Sequence, residues 1–182
     1  MYAVITDGNV SQVTSIPRRI KIKGNSYPAS IFTKWSEEAR QKVGLVTVKT
    51  VGSHKSDTFY TNSEEFVVVD GTKVERRITN AAKNIDSIKT VLKDQINSTL
   101  YNALIRTDWI VIRKADVDKD IPSNIVKWRT DLREKATELE TLVNAKSTVG
   151  ELEAITIITK EEIDNGKKVS VFYDWPEDPR KE

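Results

Sequence analysis

Three aspartates at alternating positions are the residues whose type and spacing most resemble a metal site. Asp116, Asp118 and Asp120 form the Asp-x-Asp-x-Asp pattern with which an EF-hand calcium loop begins. Such a loop also needs glycine at its sixth position and a glutamate that binds through both oxygens at its twelfth. Those positions hold Ile121 and Lys127. We therefore interpret the aspartates as a solvated acidic turn before a helix, and we expect no metal or cofactor.

The other residues that could support catalysis are not accompanied by the sequence motifs of known catalytic sites. His54 is the single histidine, and its polar Gly-Ser-His-Lys-Ser loop has no nucleophile-elbow motif. The chain has no cysteine, which excludes disulfides, thiolate nucleophiles and thiolate metal ligands. It also lacks the glycine-rich motifs that hold nucleotide phosphates. We expect no catalytic residue and no enzyme, and a hydrolase that uses His54 is the enzymatic alternative.

Composition and charge limit the class of partner. Of the 182 residues 38% are hydrophobic and 31% are charged, which indicates a modest core or burial completed in an assembly. The formal net charge of +2 favours neither nucleic acid nor an anionic membrane. The sequence has no signal-peptide pattern and no apolar run long enough to span a bilayer. We expect no nucleic-acid or membrane partner, and synthesis in a cytoplasm.

The first part of the chain has the periodicity of strands. Alternating or short apolar runs predict strands at residues 2–6, 10–16, 18–23, 45–51, 66–69 and 74–78. Asp7-Gly8 and Asp70-Gly71 predict the turns of two hairpins. Ser36 is placed to cap a short helix that Gly44 closes.

The second part has the periodicity of helices. Two stripes at steps of three and four predict long helices over about 80–105 and 124–144, and Asn80 is placed to cap the first. Capping-box patterns at Thr148 and Thr159 predict two short helices, and the charged tail 177–182 is expected to fray. The stripes consist of Ile85, Ile88, Leu92, Ile96 and Leu100, and of Ile125, Trp128, Leu132, Leu139 and Leu142. A β-branched run predicts a short strand at 109–113 between them, and a similar run predicts a last strand at 169–173. The stripes fit a helical hairpin within one chain or packing between chains of a homo-oligomer.

These elements predict an α+β fold. An antiparallel β-rich module, 1–79, is expected to precede a helical module, 80–182. In the second module two long amphipathic helices would flank the strand 109–113, and a C-terminal strand would follow.

Large aromatic and arginine side chains are the candidates for contacts with other proteins, because these residue types dominate interface energetics. Our candidates are Trp109, Trp128, Arg129, Arg133 and Trp175. Core packing is the competing interpretation for the tryptophans, and pairing with nearby carboxylates is the competing interpretation for the arginines.

A series of short motifs in this second part resembles tailed-bacteriophage proteins of the tail-assembly-chaperone and tail-fibre-assembly type. That group carries a leucine and Asp-Trp, then a proline, an aromatic-arginine helix, and a closing Trp-Pro. The matching residues are Leu104, Asp108-Trp109, Pro122, Trp128-Arg129, Leu132-Arg133 and Trp175-Pro176. This sequence departs from the group by a long segment before the Trp-Pro and a long helix before the Asp-Trp.

The resemblance implies a non-enzymatic phage protein whose partners are tail or tail-fibre subunits. It implies a structural or adaptor component of the virion tail, assembled in the bacterial host cytoplasm. The alternative is a transient assembly chaperone that the virion does not retain. In this interpretation Trp109 and Trp128 clamp the strand 109–113 to the following helix.

Overall fold

The computed structural model describes residues 1–180. The chain forms two compact units, Met1–Ala81 and Ala82–Glu182. Strands lie in the first unit and long helices in the second, so the predicted α+β class with an N-terminal sheet is confirmed. Among the described residues, no helix is both long and apolar enough to cross a membrane.

The first unit is built on a five-stranded sheet with the order β2-β1-β5-β7-β6. A separate two-stranded hairpin, β3-β4, and two short helices accompany it. The elements are β1 Tyr2–Thr6, β2 Asn9–Thr14, β3 Ile20–Ile22, β4 Asn25–Tyr27, α1 Ile31–Lys34, α2 Glu37–Lys42, β5 Leu45–Val51, β6 Tyr60–Val69 and β7 Lys73–Ala82.

Local chemistry explains the turns of this unit. Asp7 and Gly8 have φ of 51° and 79°, and Asp70 and Gly71 have φ of 52° and 67°, as tight hairpin turns require. Both hairpins predicted from these residues are present. Ser36 accepts a hydrogen bond from the Ala39 amide and caps α2, which confirms that prediction.

One ladder contradicts the expectation of a wholly antiparallel module. β5 pairs with β7 in parallel, with Val48 beside Val74 and Val51 beside Arg77. The physical reason is the position of β6, which follows β5 along the chain but lies at the outer side of β7. The hairpin from β6 back to β7 therefore gives β7 the same direction as β5.

Both faces of β1 and β5 are buried, because apolar side chains alternate between two cores. Val4 and Leu45 face one core, which Ile20, Ile31 and Phe32 complete. Their neighbours face the second core, which contains Ala3, Ile5, Val46, Val48 and Val74. Such two-sided burial makes β1 and β5 the centre of the unit.

The second unit consists of α3 Ile85–Val117, α4 Ser123–Ala145, α5 Val149–Thr156 and α6 Lys160–Asp164. The Asn84 side chain accepts hydrogen bonds from the first amides of α3, and α4 begins after Pro122. Capping boxes predicted at Thr148 and Thr159 both form. The expected cap of the first long helix, Asn80, lies in β7 instead and donates to the Ser53 carbonyl.

Two predicted strands are wrong. Residues 109–113 form part of α3, which continues unbroken to Val117. Ile110 lies 14 residues after Ile96, close to four helical turns, so both face the same core. Residues 169–173 form no strand, and 171–173 form a turn. The described part of the second unit contains no strand after β7 with which that segment could pair.

Candidate protein-interaction site

Arg129 joins α4 to α3 through three hydrogen bonds. Its Nη1 donates to the Leu104 carbonyl at 2.9 Å and to the Thr107 hydroxyl at 2.6 Å. Its Nη2 donates to Oδ1 of Asp108 at 2.8 Å. The Arg129 side chain is 11% exposed and the Asp108 side chain is 45% exposed, so the pair lies at the rim of the helix contact. The guanidinium fork fixes the register of the two helices.

Trp128 joins α4 to the C-terminal segment. Its side chain is buried, and its indole Nε1 donates to the Pro176 carbonyl at 3.1 Å. A buried tryptophan normally needs such a partner for its N–H, because an unsatisfied donor is costly. Trp128 therefore serves both as core and as the anchor of the Trp175-Pro176 segment.

Arg180 also attaches the C-terminal segment to α3, and an ion pair within the segment holds its guanidinium in place. Arg180 donates to both carboxylate oxygens of Asp178, at 2.9 and 2.6 Å, and to the Arg106 carbonyl at 3.0 Å. The hydrogen bonds from Arg180 lower the pKa of Asp178 to about 2. Residues 175–180 are thus held along α3 by hydrogen bonds and charge, without a strand.

A groove of about 550 Å³ lies between α3, α4 and this segment. Trp128, Trp175 and Pro176 give it an apolar wall, while Asn102 and Arg106 of α3 give polar groups at its side. Such a mixture of aromatic surface and a few polar groups is typical of sites that bind other molecules.

Trp109 has a different environment from the one that the clamp interpretation predicts. It is 55% exposed on α3, and the Arg113 guanidinium lies 5.0 Å from the centre of its ring. The prediction that Trp109 and Trp128 clamp a strand to a helix is wrong, because Trp109 is on a helix and points away from the core. Its exposure leaves Trp109 accessible to a partner.

The two remaining candidates, Trp175 and Arg133, have different environments. Trp175 is half-buried and lines the groove. Arg133 is exposed on α4, where its Nη1 donates to the Arg129 carbonyl at 3.1 Å. The structure brings Trp128, Arg129 and Trp175 to neighbouring positions, and their role as interaction residues stays a prediction.

The residues considered for other chemistry also have structural partners. Lys114 Nζ lies 2.7 Å from Asp118 and 2.8 Å from Asp120, so the aspartates neutralise a lysine near the end of α3. His54 contacts Glu64 at 2.6 Å, and Glu64 also binds Arg76. Across residues 1–180, no group of three or more potential ligands is arranged to hold a metal ion.

Sequence reasoning missed Asp178, Arg180 and Asn102. The first two lie in a charged tail that we expected to fray, and no periodicity connects that tail to α3. The Asp178-x-Arg180 spacing, close after a Trp-Pro, is the signal that could have indicated a local ion pair.

Comparison of the chain with protein-family models, curated proteins and solved structures gives no match in any of the three. Function is therefore inferred from the residues and contacts described above.

Proposed function

We propose that the chain is a non-enzymatic component of a bacteriophage tail or tail fibre that acts as a structural or adaptor protein. It would reside in the virion tail after assembly in the bacterial cytoplasm. Its partners would be tail or tail-fibre subunits, bound through the second unit.

One observation supports this proposal above the others. The short motifs that resemble tail-assembly proteins lie far apart in sequence, but their residues contact each other. Arg129 binds Leu104 and Asp108, and Trp128 binds Pro176. Contacts among the residues of a scattered motif give a structural reason for those residues to occur together. Trp128 and Pro176 also line the groove beside Trp175, and Trp175 is the groove residue that we propose contacts a partner.

The decisive experiment is quantitative mass spectrometry of purified phage particles. A stoichiometric copy number that matches tail or fibre symmetry is expected. Absence from particles, with abundant protein in infected-cell lysate, would contradict a structural role. That result would favour the transient chaperone, whose client should then co-purify with the chain before assembly.

A matched pair of variants tests the groove. Trp175→Ala removes an aromatic wall of the groove, while Tyr173→Ala removes an exposed aromatic ring two residues away that does not line it. We expect Trp175→Ala to reduce incorporation into particles and Tyr173→Ala to leave it unchanged. Circular dichroism establishes that both variants fold. Equal incorporation of both variants would remove the groove from the proposal.

A further inference from the structure

The long helix α3 carries a second apolar stripe that α4 does not cover. Its members are exposed by 55%, 62%, 47%, 55% and 66% for Val91, Tyr101, Ile105, Trp109 and Ile112, respectively. Isolated exposed apolar residues are ordinary, whereas several on one helix face are typical of an interaction surface.

This outer stripe is distinct from the stripe that packs inside the second unit. The buried residues of α3 are Ile88, Leu92, Ile96, Thr107 and Ile110. At about 100° per residue, the two sets lie on nearly opposite sides of the helix. A helix that is apolar on two opposite sides needs a cover on each, and α4 provides one.

The outer stripe has the seven-residue repeat of a coiled coil. Val91, Ser98, Ile105 and Ile112 recur at steps of seven and occupy the d position. Gln95, Asn102 and Trp109 then occupy the a position of the same repeat, whereas Ile88, one heptad earlier, is buried with the inward-facing residues of α3. We propose that α3 pairs in parallel and in register with α3 of a second copy of this chain.

The charges beside the stripe favour a parallel second copy over an antiparallel one. In this repeat Asp108 is at g, and Arg113, five residues later, is at e. In a parallel pair, each g residue lies beside the e residue of the partner helix that is five positions later in sequence. Asp108 of each copy therefore faces Arg113 of the other copy. Parallel pairing likewise places Tyr101 beside Arg106. Antiparallel pairing would bring the arginine-bearing flanks of both copies together.

The side chains are positioned for such pairing. Arg113 lies over the Trp109 ring at 5.0 Å, which directs its charge to the outer stripe. Arg129 binds one oxygen of Asp108, yet that side chain stays 45% exposed. Asn102 at an a position favours one register, because its amide can pair only with a polar group opposite.

The first test measures the mass of the purified full-length chain by sedimentation equilibrium across concentration. A reversible dimer is expected for the unchanged protein. Ile105→Glu places a charge at the centre of the stripe and should raise the dimer dissociation constant by about a hundredfold, since two isoleucines leave the interface. Val126→Glu is the matched control on exposed α4 surface, and it should leave the constant unchanged. A monomer at every concentration, or a trimer, would overturn the proposal.

Cysteine cross-linking tests the direction, and the cysteine-free chain makes the result unambiguous. Val91→Cys and Ile112→Cys lie at opposite ends of the stripe, about 32 Å apart along the helix. In a parallel pair each variant forms a disulfide with itself, because equivalent residues are adjacent across the seam. In an antiparallel pair only a mixture of the two variants cross-links, and that outcome would refute the parallel register.

These tests use the purified chain and are independent of the proposed tail function. Cross-linking succeeds or fails whether or not the protein is found in phage particles. A dimer confirmed in a chain absent from particles would leave this inference intact and remove the structural tail role.

Discussion

At the residue scale, Arg129 illustrates how an arginine can resemble an interface residue and act inside its own chain. Its three acceptors on α3 include the hydroxyl of Thr107, which is completely buried. A buried hydroxyl and a half-exposed carboxylate together hold one guanidinium, so the contact combines packing with charge. Arg129 thereby supports the helix pair from which any partner contact must be made.

Replacing Arg129 with alanine should lower the free energy of unfolding by about 2–3 kcal/mol, because Asp108 and Thr107 lose a charged donor. The half-exposed Asp108 keeps the loss below that of a fully buried pair. Arg129→Lys should give an intermediate loss, since it keeps the charge without the fork. Urea denaturation measures each value.

Arg133→Ala is the control for this series, because Arg133 is exposed one turn later on the same helix. It should change the free energy of unfolding by less than about 0.5 kcal/mol. Equal losses at positions 129 and 133 would show that the contacts to α3 contribute nothing specific.

Asp178 gives a pH dependence whose direction follows from its pKa. The bonds from Arg180 lower the pKa of Asp178 in the folded protein to about 2. A lowered pKa stabilises the folded state above the ordinary pKa of an aspartate, and this contribution is lost as the pH falls toward 2. Because Asp178 holds Arg180 in place to donate to the Arg106 carbonyl, attachment of the C-terminal segment to α3 should weaken between about pH 4 and pH 2.

Carboxyl-carbon NMR should detect Asp178 titrating near pH 2, well below its usual range. Arg180→Ala should return the titration toward that range, because the chief cause of the shift is removed. An unchanged midpoint in Arg180→Ala would contradict the ion pair as the cause.

At the scale of elements, Gly44 sets the junction between α2 and β5. Its φ is +90°, and an added Cβ would lie 2.7 Å from the Ile5 carbonyl oxygen. The Gly44 carbonyl also accepts a hydrogen bond from the Ile5 amide at 2.8 Å, so the backbone cannot simply withdraw. Gly44→Ala should therefore cost about 2–3 kcal/mol of unfolding free energy.

The matched control is Gly24→Ala, which has a similar φ of +84° but open space around the added Cβ. Its cost should be about 1 kcal/mol, from the backbone conformation alone. Urea denaturation of both variants separates the two effects. Equal losses would mean that the approach to Ile5 carries no penalty.

Elements governed by local chemistry could be predicted from the sequence. Hairpin turns at Asp7-Gly8 and Asp70-Gly71, and caps at Ser36, Thr148 and Thr159, need only residues within a few positions of each other. The α+β class followed from the same short-range periodicities. These features are independent of what packs on them.

Elements governed by distant packing were not predicted. The β-branched run at 110–112 favours a strand by propensity, but burial of Ile110 against the helical core decides in favour of α3. The contacts of Arg129 with Asp108 and of Trp128 with Pro176 cross 21 and 48 residues. Hydrophobic periodicity does not indicate which distant residues contact each other. The candidate residues could therefore be named from the sequence, but their contacts could not.

At the scale of the whole molecule, each unit contains a core of its own. The first unit has two clusters, on the two faces of β1 and β5. The second has the stripe of α3 packed with buried residues of α4, including Trp128, Leu132 and Leu139. Units with separate cores are expected to unfold as separate cooperative transitions.

Differential scanning calorimetry should therefore resolve two transitions, and variants in different units should move different ones. Gly44→Ala should lower the Tm of the first unit by at least several degrees, given about 4–8 °C per kcal/mol for units of this size. Trp128→Phe loses the bond to Pro176, at about 1 kcal/mol, and should lower the other transition by several degrees. A single transition that both variants shift would show that the two cores unfold as one. Pairing of α3 between two copies would stabilise only the second unit. The Tm of the transition that Trp128→Phe lowers should therefore rise with protein concentration, and the Tm of the other transition should not.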